Sequence, residues 1–172
     1  MNAFWLMIPL LIIRFGLLGM LDKMALKRAA FFPPLMGKEK PAYLLYQIAN
    51  LFLFLYLFFL EISTEGALFG IGLAVYGLGN IVCAASVCSF AKPGKNGVNL
   101  NGLYRISRNP MYIGYFIYFL GCVLLTRSIV LLASLIVFQT AAHWIILSEE
   151  RWCTKEFGEE YISYMKKVRR YL

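Results

Sequence analysis

The hydrophobic residues of this chain fall into five long blocks separated by shorter polar and basic stretches. The blocks run about Ala3–Leu21, Ala42–Leu60, Gly66–Phe90, Pro110–Leu125 and Ile129–Leu147. Each approaches the roughly 20 apolar residues a membrane-spanning helix needs, the fourth being short. Only Thr126-Arg127-Ser128 separates the last two blocks, which predicts a tight antiparallel helical hairpin. From Ser148 the pattern changes: Trp152, Phe157, Tyr161, Tyr164, Met165 and Val168 alternate with charges. That tail is expected to lie at the membrane interface or to cap the bundle, as amphipathic helices broken at Gly158. In the third block the glycines, including the Gly66/Gly70 pair, admit close helix contact, and packing is the preferred role for Gly77 and Gly79 as well. Arg14 interrupts the first block, as a snorkelling or internally paired charge, and Asn80 interrupts the third. The pattern predicts an all-α integral membrane protein of about five transmembrane helices in one membrane domain, residues 1–172, with three spans in 1–90 and the hairpin and tail in 91–172.

Composition agrees. The chain is 60% hydrophobic and 15% charged, against roughly a quarter charged in soluble domains, and its mean hydropathy is +0.68. The first block is long, carries Arg14 and lacks a small-residue cleavage site, so no cleaved signal peptide is expected. The net charge is +8, and its placement orients the spans. Loop 22–41, loop 91–109 and the tail from Ser148 hold all 17 lysines and arginines except Arg14 and Arg127. With the N-terminus outside, all three face the cytoplasm, and loop 61–65, with Glu61 and Glu65, lies outside. Anionic lipid headgroups account for the basic residues, and no groove-reading motif points to nucleic acid. The four cysteines form no CxxC and His143 is the only histidine, which argues against zinc, a disulfide framework and an iron–sulfur cluster. No metal site is expected, and the oligomeric state is not legible.

Two polar constellations carry candidate chemistry. The first is Asn101–Gly114, NGLYRISRNPMYIG, which cannot sit in hydrocarbon and must lie at the membrane surface or in a protein-lined cavity. Arg105 and Arg108 suit a carboxylate or phosphate, and Tyr104 and Tyr112 suit an aromatic base or a cation. Asn109-Pro110 reads as a helix start, with Asn109 as the cap and its positive end facing the basic loop. The bland alternative is a juxtamembrane loop on lipid phosphates. The second is Ser148-Glu149-Glu150-Arg151. Adjacent acids where a helix leaves the membrane oppose the helix dipole and call for a cationic partner, such as Arg105, Arg108 or a ligand's ammonium. His143 lies seven residues before Glu150, hence on the same face, as a proton carrier or a hydrogen-bonded residue within the bundle.

The two constellations in this order, followed by Phe157-Gly158-Glu159-Glu160-Tyr161, resemble the membrane methyltransferases typified by isoprenylcysteine carboxyl methyltransferase and the phospholipid N-methyltransferases. The likeness covers roughly Gly97 to Val168. It implies methyl transfer from S-adenosylmethionine to a lipid-like or prenylated substrate. The family's cofactor-binding segment falls on Asn96, Gly97, Val98 and Asn99, its tyrosine on Tyr104, its Arg-His-Pro-x-Tyr on Arg108, Asn109, Pro110, Met111 and Tyr112, and its glutamate on Glu149. Asn109 stands where the carboxyl branch has His, Asn96 also replaces a His, and Ile145 falls near that branch's substrate-contacting arginine. The Phe-Gly-Glu-Glu-Tyr tail, by contrast, is similar to the carboxyl branch. Within this picture Arg108 and the helix start take the donor's carboxylate, Glu149 its ammonium or ribose, and Tyr104, Tyr112 and Trp144 its sulfonium or adenine. An amine acceptor needs a base, Glu150 and then His143; a carboxylate acceptor needs a cation, Arg105 or Arg151. Two rival classes remain: an NADPH-dependent reductase of the sterol-reductase type, and a non-catalytic membrane scaffold protein.

Overall fold

The computed structural model describes every residue except 95 and 96. Six helices account for most of it: α1 (Ala3–Leu21), α2 (Lys23–Ala29), α3 (Glu39–Phe59), α4 (Ala67–Phe90), α5 (Pro110–Thr126) and α6 (Ile129–Lys167). Among the described residues there is no β-strand, only two isolated bridges. This is an all-α membrane protein. By length and composition α1, α3, α4 and α6 are able to cross a bilayer. The fourth block becomes a helix of 17 residues, about 26 Å long, somewhat short of the ~30 Å hydrocarbon core.

At one end of the bundle, residues 1–3 are zipped to 58–62. Asn2 donates to Phe58 O at 2.8 Å, Ala3 N to Leu60 O at 2.8 Å, and Ile62 N to Met1 O at 2.8 Å. The α5–α6 connection joins the same end, where Arg127 donates to Glu65 O. Arg127 adopts the left-handed region (φ 51°) after α5, and Ser128 Oγ caps α6 by accepting from Leu131 N at 3.2 Å. The basic segments 22–38, 97–109 and 148–172 gather at the opposite end. There Arg28 reaches Phe90 O at 3.4 Å and Arg151 grips Glu39 and Pro34 O.

The hairpin partners α5 and α6 each pack mainly on another helix, α5 along α4 and α6 along α3. Glycines set the α4–α5 contact. A Cβ at Gly79 would fall into the Tyr118 backbone, one at Gly121 into the Tyr76 backbone, and one at Gly114 within 2.8 Å of Cys83 Sγ. The close contact therefore uses Gly72 and Gly79. Of the expected Gly66/Gly70 pair, Gly66 serves the turn before α4 (φ 70°), and Gly70 and Gly77 face open space. Tyr76 and Tyr118 both donate to Leu6 O, at 2.8 and 2.7 Å, tying α1 to the pair. Halfway along, α1 widens into a π-helical stretch, residues 12–17, that contains Arg14. Gly158 takes a non-helical conformation (φ 54°, ψ −132°) and kinks α6, as its position in the sequence predicts.

Candidate functional site

The polar stretch folds as an extended segment, a 3-10 turn over Gly102–Arg105, and the start of α5. The turn buries Tyr104 and turns Arg105 out to solvent. Burial pushes the Tyr104 phenol above its ordinary pKa and keeps it neutral. Pro110 occupies the first turn of α5 as predicted. Asn109 sits at the cap position, but its side chain does not cap the helix: Nδ2 donates to Arg170 O at 3.1 Å. The carbonyl of Arg170 competes for the side chain, and the Asn109 main-chain N–H is met by Ser107 Oγ at 3.1 Å.

Arg108 joins four parts of the chain. Its Nε and Nη2 donate to Glu150 Oε1 at 3.0 and 2.8 Å, and Nη1 to Met165 O and Val168 O at 3.0 and 2.9 Å. Its main-chain N–H meets Arg169 O at 3.0 Å. Arg170 grips the other oxygen of Glu150 through Nε and Nη2, at 3.0 and 2.8 Å. The Glu150 carboxylate is 6% exposed and thus accepts from two guanidiniums. It holds the Arg170 pKa above its ordinary value. The expected cationic partner of the paired acids is therefore Arg108, with Arg170 added.

Beside this knot lies a cavity of about 480 Å³. Of the residues singled out in the sequence, Gly97, Val98, Asn99, Tyr104, Arg108, Asn109, Met111, Tyr112, Glu149 and Glu150 line it. Asn96 lies outside the described residues. Pro110 is buried beneath the wall without lining it. Tyr112 donates to Glu149 Oε1 at 3.0 Å. Asn99 Oδ1 is buried without a hydrogen-bond partner among the described residues.

Three residues proposed for catalysis fare differently. Arg105 lies outside the cavity, because the 3-10 turn points it away. His143 also lies outside and pairs through Nδ1 with Tyr171 OH at 2.7 Å. The shared face of His143 and Glu150 is real, and segment 168–171 covers it, Tyr171 meeting one and Arg170 the other. Glu150 lines the cavity, but its guanidinium partners hold the proton-accepting oxygens of the base expected in the sequence. Trp144 is 37% exposed and away from the cavity, and Arg151 is bound to Glu39.

Other cavity residues were not assigned to the site from the sequence. Arg14 from the π-helical turn donates to Ala29 O at 3.0 Å and contacts Met111 Sδ at 3.6 Å, with the Tyr115 ring 5.9 Å away. Lys27, Arg28 and Phe31–Pro33 come from α2 and the loop after it, and Trp152, Phe157, Tyr161 and Tyr164 from the far part of α6. An arginine inside an apolar block was the one signal for the first group; loop 22–41 read only as a topology marker. Among the described residues no three His, Cys, Asp or Glu side chains are placed to hold a metal, and the four cysteines are free.

No curated protein and no solved structure matches the chain significantly. The family model of the phospholipid methyltransferases matches residues 67–160, which is more than half of the chain and includes Glu149, Glu150 and the whole stretch 101–114. With its helical membrane architecture and that match, the chain belongs to the phospholipid methyltransferase family, the membrane methyltransferases.

Proposed function

We propose that this protein transfers a methyl group from S-adenosylmethionine to the amine headgroup of a lipid. The observation that carries the reading is the Tyr112–Glu149 hydrogen bond at 3.0 Å in a cavity that also contains the unpartnered Asn99 Oδ1. The volume lies within the roughly 300–1,000 Å³ of small-molecule sites. When bound, the donor supplies an activated methyl group on a sulfonium, together with an ammonium, a carboxylate and an adenosine. The residues present fit its sulfonium, its ammonium and its adenosine. Glu149 is the cavity carboxylate not gripped by a guanidinium, and it faces the ammonium or ribose. Asn99 Oδ1 accepts from an N–H or hydroxyl, and Tyr104 and Tyr112 face the sulfonium or adenine. Arg108 and Glu150 act by bracing this wall, so that donor and acceptor are held in line; such alignment is worth on the order of 7–11 kcal/mol.

An amine rather than a carboxylate acceptor is supported by the family match and by the loss of Arg105 and Arg151 as carboxylate partners. The headgroup nitrogen bonds the methyl carbon as that carbon's bond to sulfur breaks, and the amine proton leaves to solvent, since Glu150 is held by Arg108 and Arg170 and His143 pairs with Tyr171 outside the cavity. The lipid enters laterally between helices and the donor from the basic end, which we place in the cytoplasm. Reagent labelling of cysteines introduced at 61–65 tests that sidedness; labelling from the cytoplasmic face would reverse it. The function itself is tested by calorimetry with S-adenosylhomocysteine and with NADPH on the purified protein, followed by incubation with radiolabelled donor and lipid extract. Binding of the first and stable label on an amine headgroup are expected. Binding of NADPH alone would replace this reading with a reductase, binding of neither with a scaffold, and base-labile label would make the acceptor a carboxylate.

A further inference from the structure

The ionisable groups on the cavity wall do not balance. Arg108 is neutralised by Glu150, which Arg170 also holds. Arg28 shares Asp22 at 3.4 Å. That leaves Arg14 and Lys27 with no carboxylate in ion-pair distance among the described residues, facing Glu149 as the remaining cavity acid. Arg14 is half-buried in an otherwise apolar helix, where an unpaired guanidinium is costly and marks a site. Its bond to Ala29 O brings it against the end of α2, next to Lys27 and Arg28 in sequence, so the three cations form one basic wall. The donor assigned above has one carboxylate against two positive groups. It offers this wall one anion at most.

We infer that Arg14 and Lys27, with Arg28 beside them, form the subsite for the phosphate of the acceptor lipid. The inference rests on the donor reading and extends it to the acceptor. The arginine fork suits a phosphate oxygen pair, and an exposed lysine adds a mobile charge at the mouth. This wall comes from residues 14–28, entirely outside the family-matched segment 67–160. Selection of the acceptor and handling of the donor then reside in different parts of the chain.

The test compares a phosphate-bearing amine lipid with a phosphate-free long-chain amine of equal chain length, in mixed micelles with radiolabelled donor. Arg14→Gln is expected to cut the ratio of kcat/KM for the two acceptors by about tenfold or more, and Lys27→Gln by a smaller factor, with Arg14→Lys retaining part of the preference. Donor affinity is measured on the same variants. An unchanged ratio overturns the inference. So does a fall in donor affinity that accounts for the whole loss, because the wall would then hold the donor's carboxylate. If Arg14→Gln does not fold, exposed Lys27 decides alone, and an unchanged ratio in Lys27→Gln refutes the wall. Retention of the phosphate-bearing lipid by native mass spectrometry gives a readout free of methylation. Lipid retention lost in the variants, from a wild-type protein that binds no donor, would keep the subsite and sink the proposed function.

Discussion

On one side of the cavity, Arg108 is bonded through all three guanidinium nitrogens and its own amide, and the Glu150 carboxylate through both oxygens. On the other side, Lys27 has no ion partner among the described residues, and Arg14 is steadied by one carbonyl, a thioether and the Tyr115 ring, with no carboxylate in ion-pair distance among the described residues. The first wall is drawn from residues 97–170 and is closed upon itself before any ligand arrives. The second, from residues 14–33, hangs on α2 and the loop clipped down by Arg151 and Glu39. A buried ion pair with every lone pair answered fixes geometry, whereas unpaired cations at a cavity edge wait for an anion. The contrast separates a rigid half, which overlaps the family-matched segment and is closed by residues 165–170 just beyond it, from a half free to vary with the acceptor.

The comparison breaks most sharply at the knot. Glu150→Gln leaves two guanidiniums without their carboxylate and is expected to cost about 3–5 kcal/mol, read as a lower thermal unfolding midpoint in detergent. Arg108→Lys should not restore it, since an ammonium cannot span Glu150 and two carbonyls together. An unshifted midpoint would mean that this wall is not closed as described. Glu149→Gln, one residue away, separates function from stability. It should weaken S-adenosylhomocysteine binding by ten- to hundredfold, about 1.5–3 kcal/mol, with little change in the unfolding midpoint; unchanged calorimetric affinity would remove Glu149 from the donor site. Gly79→Ala is expected to destabilise by about 1–3 kcal/mol, because its methyl group meets the Tyr118 backbone. Gly70→Ala and Gly77→Ala, facing open space, should be neutral or stabilising by up to ~1 kcal/mol; equal effects at all three would contradict the α4–α5 register. Smallest is Arg151→Ala, about 0–1 kcal/mol, since the arginine is 41% exposed, with faster proteolysis of 31–38 as its readout.

The helices were legible because hydrocarbon leaves the backbone few choices: five apolar blocks can only become helices. Glu149, Tyr112 and Arg108 could be placed on the cavity wall because a polar stretch between apolar blocks cannot lie in hydrocarbon and paired acids at the end of a span oppose the helix dipole. Other parts carried no such mark. The acceptors that hold Arg108 and Asn109 are the carbonyls of Met165, Val168 and Arg170, and a backbone carbonyl has no sequence signature. For the same reason the side chain of Asn109, a favoured cap in sequence, was drawn elsewhere. The face shared by His143 and Glu150 followed from helical spacing, but not the segment that covers it. Arg14 stood out, yet a single arginine in a span has several outlets, and only the fold shows it beside Ala29 and Met111.

The Arg108 knot also fixes an order of events during synthesis. Arg108 is made with the start of α5, 42 residues before its carboxylate partner and some 60 before the Val168 carbonyl that completes its ring of acceptors. Until the ribosome has delivered those partners, this guanidinium must remain in water or on lipid phosphate. The nascent protein can therefore seat its first five helices early, while this wall of its cavity closes only once residues 165–170 have emerged.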